Sequence, residues 1–279
     1  MDPVKTVLSI AGYDPSSGAG ITADLIVFAA HGLFGTSCIT ALTVQSTMGV
    51  HQVHPVAAEI VGKTLQYLDE DTPPAGIKIG MMGTSDNVRV ISEYIEGLRS
   101  SGQAIPVVVD PVIESSSGAR LLDSGGFALM RERLLGVADW VTPNIGELEV
   151  LSDKAVGNAA AVPDACRILQ ERILADTGQR VGICAKGGHL RKPDDYLLDS
   201  AGEGVWVPGE WVRTSSTHGT GCAFSSAFLS RLVLGDEPPE AVRRAKEYVQ
   251  GALENAVPTG KGAGPMKYLW QFMDLNNEE

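Results

Sequence analysis

Ser215-Ser216-Thr217-His218-Gly219-Thr220-Gly221-Cys222-Ala223-Phe224 is a glycine-rich turn that runs into an apolar helix. Ala223, Phe224, Ala227, Phe228, Leu229, Leu232 and Val233 supply the helical spacing. The first N–H groups of such a helix have no partner within it and stand at the positive end of its dipole. The turn is therefore a ready place for a phosphate or a developing negative charge. Cys222 falls in the first turn, where a thiol pKa is expected to be lowered. The plainer alternative is a tight helix entry with a half-buried cysteine.

Working outward, the same pattern recurs: a short apolar run, a polar glycine-bearing segment, an amphipathic stretch. Strands are predicted over 4–11, 36–42, 75–79, 107–109, 140–141 and 181–185, with a hairpin over 196–198 and 204–207. Helices are predicted over 21–30, 57–69, 86–99, 126–135, 145–151, 164–177, 223–234 and 239–255. Strand–helix alternation of this kind gives an α/β fold with a mostly parallel sheet and right-handed crossovers. No linker or repeat interrupts it, so residues 1–279 are expected to form one domain. Ligands of such folds sit beyond the carboxyl ends of the strands. Segments 12–20, 78–84, 110–118, 142–147, 186–189 and 217–222 all fall there.

Composition narrows the class. A formal charge of −12 leaves no basic footprint for a nucleic acid or an anionic membrane surface. Apolar residues make up 44% of the chain, yet no run approaches the roughly 18 needed for a span. The apolar run Thr6–Gly12 is too short for a signal peptide. Cys38, Cys166, Cys184 and Cys222 are far apart and form no C-x-x-C pair, which argues against zinc and for reduced thiols in the cytoplasm.

Two nucleotide motifs fail on context. Gly62-Lys63-Thr64 ends like a P-loop, but Ala57 stands where the earlier glycine belongs and the triplet lies inside a helix. Gly18-Ala19-Gly20-Ile21-Thr22-Ala23 fits the dinucleotide fingerprint, but it lies six residues past its strand, and Gln45-Ser46 replace the expected acid. A combination of separate segments survives. Gly219, Thr220, Gly221 and Cys222 can cradle a transferring phosphoryl group. Asn144 and Glu147 stand three apart at a helix start, able to reach one water or cation, or simply to form a capping box. Asp110 ends an apolar strand, and Lys186 follows another. Phosphoryl transfer needs anion holders, a cation and a proton acceptor, and all three can be assigned on one edge of the sheet.

The ordered motifs resemble the hydroxymethylpyrimidine/phosphomethylpyrimidine kinases of thiamine biosynthesis, within the ribokinase superfamily. The resemblance runs through Ile10–Gly20, Ala23-Asp24-Leu25, Thr40-Ala41-Leu42, Gln45-Ser46-Thr47 and Lys78–Met81. It continues in Asp110-Pro111-Val112, Thr142–Glu147, Lys186–Leu190, His218–Cys222 and Gly260–Pro265. It implies a ribokinase-like three-layer α/β/α fold, ATP with Mg²⁺, and a homodimer. By position, Gly12, Ala19, Gln45, Met81 and Val112 line the pyrimidine pocket, with Asp24 among the substrate contacts. Cys222 takes the place of the superfamily's aspartate base, and Gly219–Cys222 the anion hole. Asn144 and Lys186 serve the nucleotide, and Asp110 and Glu147 the Mg²⁺. Two departures stand out: Ser116 replaces a lysine that steadies a phosphorylated substrate, and Tyr13 replaces a small polar residue. The readings left open are a pyridoxal/pyridoxine kinase, a cysteine hydrolase pairing Cys222 with His218, and a non-catalytic precursor-binding protein.

Overall fold

The computed structural model describes residues 4–115 and 118–272. Ser116, and with it the expectation about the missing lysine, lies outside the described residues. Among these residues nine strands form one sheet in the order β3-β2-β1-β4-β5-β6-β7-β8-β9. They are β1 (Thr6–Tyr13), β2 (Phe34–Ser46), β3 (Gly49–Pro55), β4 (Ile77–Ile79), β5 (Val107–Val109), β6 (Trp140–Val141), β7 (Gly182–Ala185), β8 (Asp195–Leu198) and β9 (Gly204–Val207). The run from β2 to β7 is parallel, and β3, β8 and β9 add antiparallel edges.

The short central strands are apolar on both faces because helices cover both. Val107 and Val109 point into one cluster with Leu8, Ile77, Ile91 and Leu169, while Val108 points into the other with Val7, Phe28, Phe228 and Ala245. The first cluster is covered by α2 (Ala58–Asp71), α3 (Ser85–Ser100), α4 (Ser124–Leu129), α5 (Leu135–Val137), α6 (Ile145–Ser152) and α7 (Val162–Thr177). A π-helical turn over Met130–Leu134 joins α4 to α5. The second cluster is covered by α1 (Gly20–Ala30), α8 (Thr220–Val233) and α9 (Pro238–Glu254). This is the expected three-layer α/β/α arrangement. No helix among the described residues is long and apolar enough to cross a membrane.

Sequence periodicity missed β3 and the second half of β2. Residues of this hairpin alternate exposed and half-buried, and His51, Gln52 and His54 stand outward, so it carries no apolar run. The hairpin rises past the sheet edge and brings Thr43 and Gln45 over the carboxyl ends of β1 and β4.

Candidate active site

A cavity of about 550 Å³ opens at the carboxyl edge of the sheet. It is lined by Gly12, Ala19, Gln45, Met81, Val112, Asn144, Lys186, Asp110, Glu147 and the whole turn Gly219–Cys222. Segments far apart in sequence are thus brought together by the topology.

One half is mostly uncharged, with the Asp14 carboxylate tied into its backbone. The end of β1 turns back on itself: Asp14 Oδ1 accepts from the Ser16 N–H at 2.8 Å and from its hydroxyl at 2.7 Å, and Oδ2 accepts from the Ala19 N–H at 3.0 Å. Gly20 follows at φ +60, where a Cβ would lie 2.2 Å from the Gly12 carbonyl oxygen, so only glycine lets the loop close into α1. A Cβ at Gly12 would in turn meet Met81 Sδ at 2.7 Å. The recess is therefore tight between backbone and thioether, with Val112 and Leu121 as further apolar lining.

The other half is dense with charge. α8 starts at Gly219, at φ +80 and without a side-chain cap, so its first N–H groups stay turned to the cavity. A Cβ there would lie 1.7 Å from the Gly18 carbonyl oxygen. Next to this turn Lys186 Nζ donates to Asp110 Oδ1 at 2.6 Å, and a Cβ at Gly221 would sit 3.1 Å from that ammonium. Burial alone would lower the Lys186 pKa, but Asp110 and Glu147 raise it above its ordinary value, so the ammonium is firmly held. Glu147 closes a capping box with Asn144: its N–H donates to Asn144 Oδ1 at 2.9 Å, and its Oε2 accepts from the Asn144 N–H at 2.8 Å. Burial pushes the Glu147 carboxyl up to about 7, with Lys186 pulling it down and Asp110 pushing it up.

Beneath the turn lies Lys78, wholly buried in β4, donating to both oxygens of Asp24 at 3.0 and 2.9 Å. Ser9 and Ser226 also donate to Asp24, at 2.5 and 2.7 Å. This corrects the expectation that Asp24 touches substrate. Its side chain has no exposure and is fully occupied by three donors, because α1 presents it to the sheet and not to the cavity. The expectation of a lowered Cys222 pKa is also corrected. Burial raises the thiol, and Asp110 and Asp24 add to that, while Lys78 and the Gly20 N–H offset only part. The helix terminus does not prevail over desolvation here.

Asp110 and Glu147 do stand together, but no group of three or more His, Cys, Asp or Glu side chains converges among the described residues. With Asp110 bound to Lys186 and Glu147 bound to Asn144, the site is no protein cage for a cation. It fits Mg²⁺ held mostly by water and phosphate oxygens, the usual habit of that ion. His218 does not pair with Cys222: its Nε2 lies 2.7 Å from Asp14 Oδ2 and 3.1 Å from Gln45 Nε2. A Cys–His nucleophilic pair is absent among the described residues.

Several site residues escaped the sequence reading. Lys78 and Asp14 fall in the segments 78–84 and 12–20 that the sequence places at the sheet edge, but no pattern of residues there assigned either a role. On the far side Asp195 Oδ1 accepts from the Gly187 N–H at 2.8 Å and its Oδ2 pairs with Lys246 at 2.7 Å, pinning the loop after Lys186. Trp211, Val212, Val249 and Leu253 give that end an apolar lining. Only the Asp-Tyr start of a strand and an unremarkable helix lysine mark these positions in the sequence.

A family model described as phosphomethylpyrimidine kinase matches residues 14–267. Over 280 residues the chain is 34% identical to the hydroxymethylpyrimidine/phosphomethylpyrimidine kinase of Haemophilus influenzae, covering 99% of this chain and 100% of that protein. The phosphomethylpyrimidine kinase structure from Clostridium difficile 630 matches with a TM-score of 0.74 at 35% identity, over 89% of this chain and 99% of that one. The Staphylococcus aureus pyridoxal kinase in complex with AMP-PCP and pyridoxal matches with a TM-score of 0.83 at 28% identity, over 97% and 96%. These likenesses bear out the ribokinase-like architecture and the kinase activity read from the motifs.

Proposed function

The chain belongs to the phosphomethylpyrimidine kinase family, and we propose that it transfers the γ-phosphoryl group of ATP to the hydroxymethyl group of 4-amino-5-hydroxymethyl-2-methylpyrimidine and then to its monophosphate, in thiamine biosynthesis. The observation that carries this reading is the division of one cavity. An uncharged recess lined by Gly12, Ala19, Gln45, Met81 and Val112 adjoins the uncapped start of α8 and the Lys186 ammonium. A hydroxymethyl group on a ring bound in the first half is directed at phosphate held in the second.

In this mechanism the N–H groups of Gly219–Cys222 hold the transferring phosphoryl oxygens and Lys186 adds positive charge, so electrostatic preorganisation does most of the work. The nucleotide lies toward Asn144 and the pinned loop after Lys186, its base against the apolar end that includes Trp211 and Val249. Glu147 and Asp110 would hold Mg²⁺ through its water shell, and the ion would supply further charge neutralisation. Cys222 Sγ takes the proton of the attacking hydroxymethyl oxygen. Its raised pKa keeps it a thiol at neutral pH, so its share in the rate grows as pH rises.

A second reading, a pyridoxal kinase, is favoured by the closer overall superposition on the pyridoxal kinase structure than on the pyrimidine kinase structure. An ATP-to-ADP assay with each heterocycle separates the two. Release of ADP dependent on the aminopyrimidine supports the proposal. ADP release with pyridoxal alone overturns it, and no heterocycle-dependent release removes both. The same proposal treats residues 1–279 as one kinase domain working in the cytoplasm as a homodimer, with exposed Leu42, Val44 and Met48 of the β2–β3 hairpin as its apolar face. Sedimentation equilibrium tests the dimer.

A further inference from the structure

His218 sits at the meeting point of three segments. The Cδ2 edge of its ring abuts Gly18, where a Cβ would be 2.1 Å from Cδ2, and its backbone N–H donates to the Gly264 carbonyl at 3.1 Å. The Tyr268 hydroxyl donates to the Gly18 carbonyl at 2.5 Å, holding the backbone beside the ring edge. The imidazole Nε2 faces Asp14 Oδ2 at 2.7 Å and Gln45 Nε2 at 3.1 Å.

The proton count at this contact is decisive. Burial by itself would raise the Asp14 carboxyl, but bonds from His218 and Ser16 hold it below its ordinary value, so it is a carboxylate and only accepts. The proton of the short contact is therefore on Nε2, whether the ring is neutral or charged. Gln45 meets an N–H on that side. On its other side is Thr43 Oγ1, 3.2 Å from the amide and 2.9 Å from the Tyr13 carbonyl oxygen. A carbonyl only accepts, so the single Thr43 hydroxyl proton goes to Tyr13 and leaves the Thr43 oxygen to accept. Both neighbours thus favour the amide turned over from the setting in the structure, where Nε2 faces His218 and Oε1 faces Thr43: oxygen toward His218, NH₂ toward Thr43. The two ends of an amide are alike in shape and are assigned by such a count.

We propose that His218 is a positioning residue for substrate choice, fixing the Gln45 amide so that it presents an acceptor on the His218 side and a donor on the Thr43 side to the ring. This rests on the aminopyrimidine reading above. Each end of the amide spends one of its two hydrogen-bonding positions on the protein. The remaining lone pair and the remaining N–H form the amide edge left for a ligand in the cavity that Gln45 lines. An aminopyrimidine has an amine next to a ring nitrogen, a donor beside an acceptor, which matches that edge in one ring orientation. Pyridoxal has no amine beside its ring nitrogen. A reversed amide would set donor against donor.

The test is the ratio of kcat/KM for 4-amino-5-hydroxymethyl-2-methylpyrimidine over that for pyridoxal, measured in the wild type, His218→Leu, His218→Gln, Gln45→Leu and the double variant. His218→Leu is expected to lower the ratio by about tenfold to a hundredfold, the usual cost of a mispaired buried polar group, chiefly through KM for the aminopyrimidine. His218→Gln still offers an N–H and is expected to keep most of the ratio. In the Gln45→Leu background, loss of His218 should lower the ratio no further, since the two residues act as one unit. An unchanged ratio in His218→Leu, or independent additive losses in the double variant, overturns the proposal. Should His218→Leu lack a melting transition, His218→Asn, whose side chain ends short of Gln45, carries the same expectation. A wild type without preference for the aminopyrimidine would instead sink the functional reading on which this rests.

Discussion

Around Gly12, Ala19, Met81 and Val112 the cavity is shaped by backbone and apolar side chains, with the neutral amide of Gln45 among its lining groups. Around Gly221 four charged side chains, Lys78, Lys186, Asp110 and Glu147, line the cavity within a few residues of one helix terminus. The first region chooses a ring by shape and one amide. The second holds charges that are paired before any substrate arrives, so they need little rearrangement when phosphate does. Substitutions should therefore divide: changes in the charged half alter stability and turnover, and changes in the neutral half alter which ring is taken.

The largest expected effect is below the charged half. Asp24→Ala strands the Lys78 ammonium without its partner, and breaking a buried pair costs about 3–5 kcal/mol. Chemical denaturation should report that loss, and any protein that remains folded should keep a near-normal KM for the heterocycle. A KM that rises steeply with stability unchanged would return Asp24 to the substrate contacts and break the division. Gly221→Val comes next. Its added carbons press on the Lys186 ammonium and displace the cradle, and losing one oxyanion donor costs about 10²–10³ in rate. Near-normal turnover in a folded Gly221→Val protein would mean that the turn does not hold the transferring group.

Much of this arrangement is legible in the chain itself. The glycines at 219 and 221, the carboxylates at 110 and 147 and the lysine at 186 all follow predicted strands or open predicted helices, so strand–helix alternation alone places them on one edge. The parts that were not legible depend on partners distant in sequence. Asp24 looks like any helix acid until its contact with Lys78 across 54 residues is seen. The Cys222 thiol follows its burial and its carboxylate neighbours instead of the helix dipole that the sequence suggests. The β3 strand is invisible to periodicity because neither of its faces is fully buried.

In the mostly uncharged half, Gln45→Leu removes the amide that faces the ring. The aminopyrimidine should lose about 1–3 kcal/mol of kcat/KM, with pyridoxal affected less. Equal losses for the two rings would show that the recess selects by shape alone. The smallest effect concerns proton linkage at Glu147, raised to about 7 from its ordinary 4.5. The folded state binds this proton more tightly than the unfolded chain. Its stabilising contribution is full below about 4.5 and is lost as pH rises to about 7. The stability difference between the wild type and Glu147→Gln should therefore shift against the wild type across that interval, as read from melting temperatures. A difference that is flat with pH would mean that Glu147 is ionised throughout.

Cys222 stands where the two halves meet, and the pH dependence of turnover in wild type and Cys222→Ala tests the account most directly. The account predicts that the folded Ala variant keeps a near-normal KM and a melting temperature close to wild type, while kcat falls by about 10²–10⁴, the usual worth of a positioned base. It also predicts that wild-type kcat climbs as pH rises from neutrality, because burial holds the thiol above its ordinary value, and that this climb is absent from the variant. Wild-type turnover in Cys222→Ala, with matching pH profiles, would contradict it and leave the cradle and its cations to carry the transfer alone.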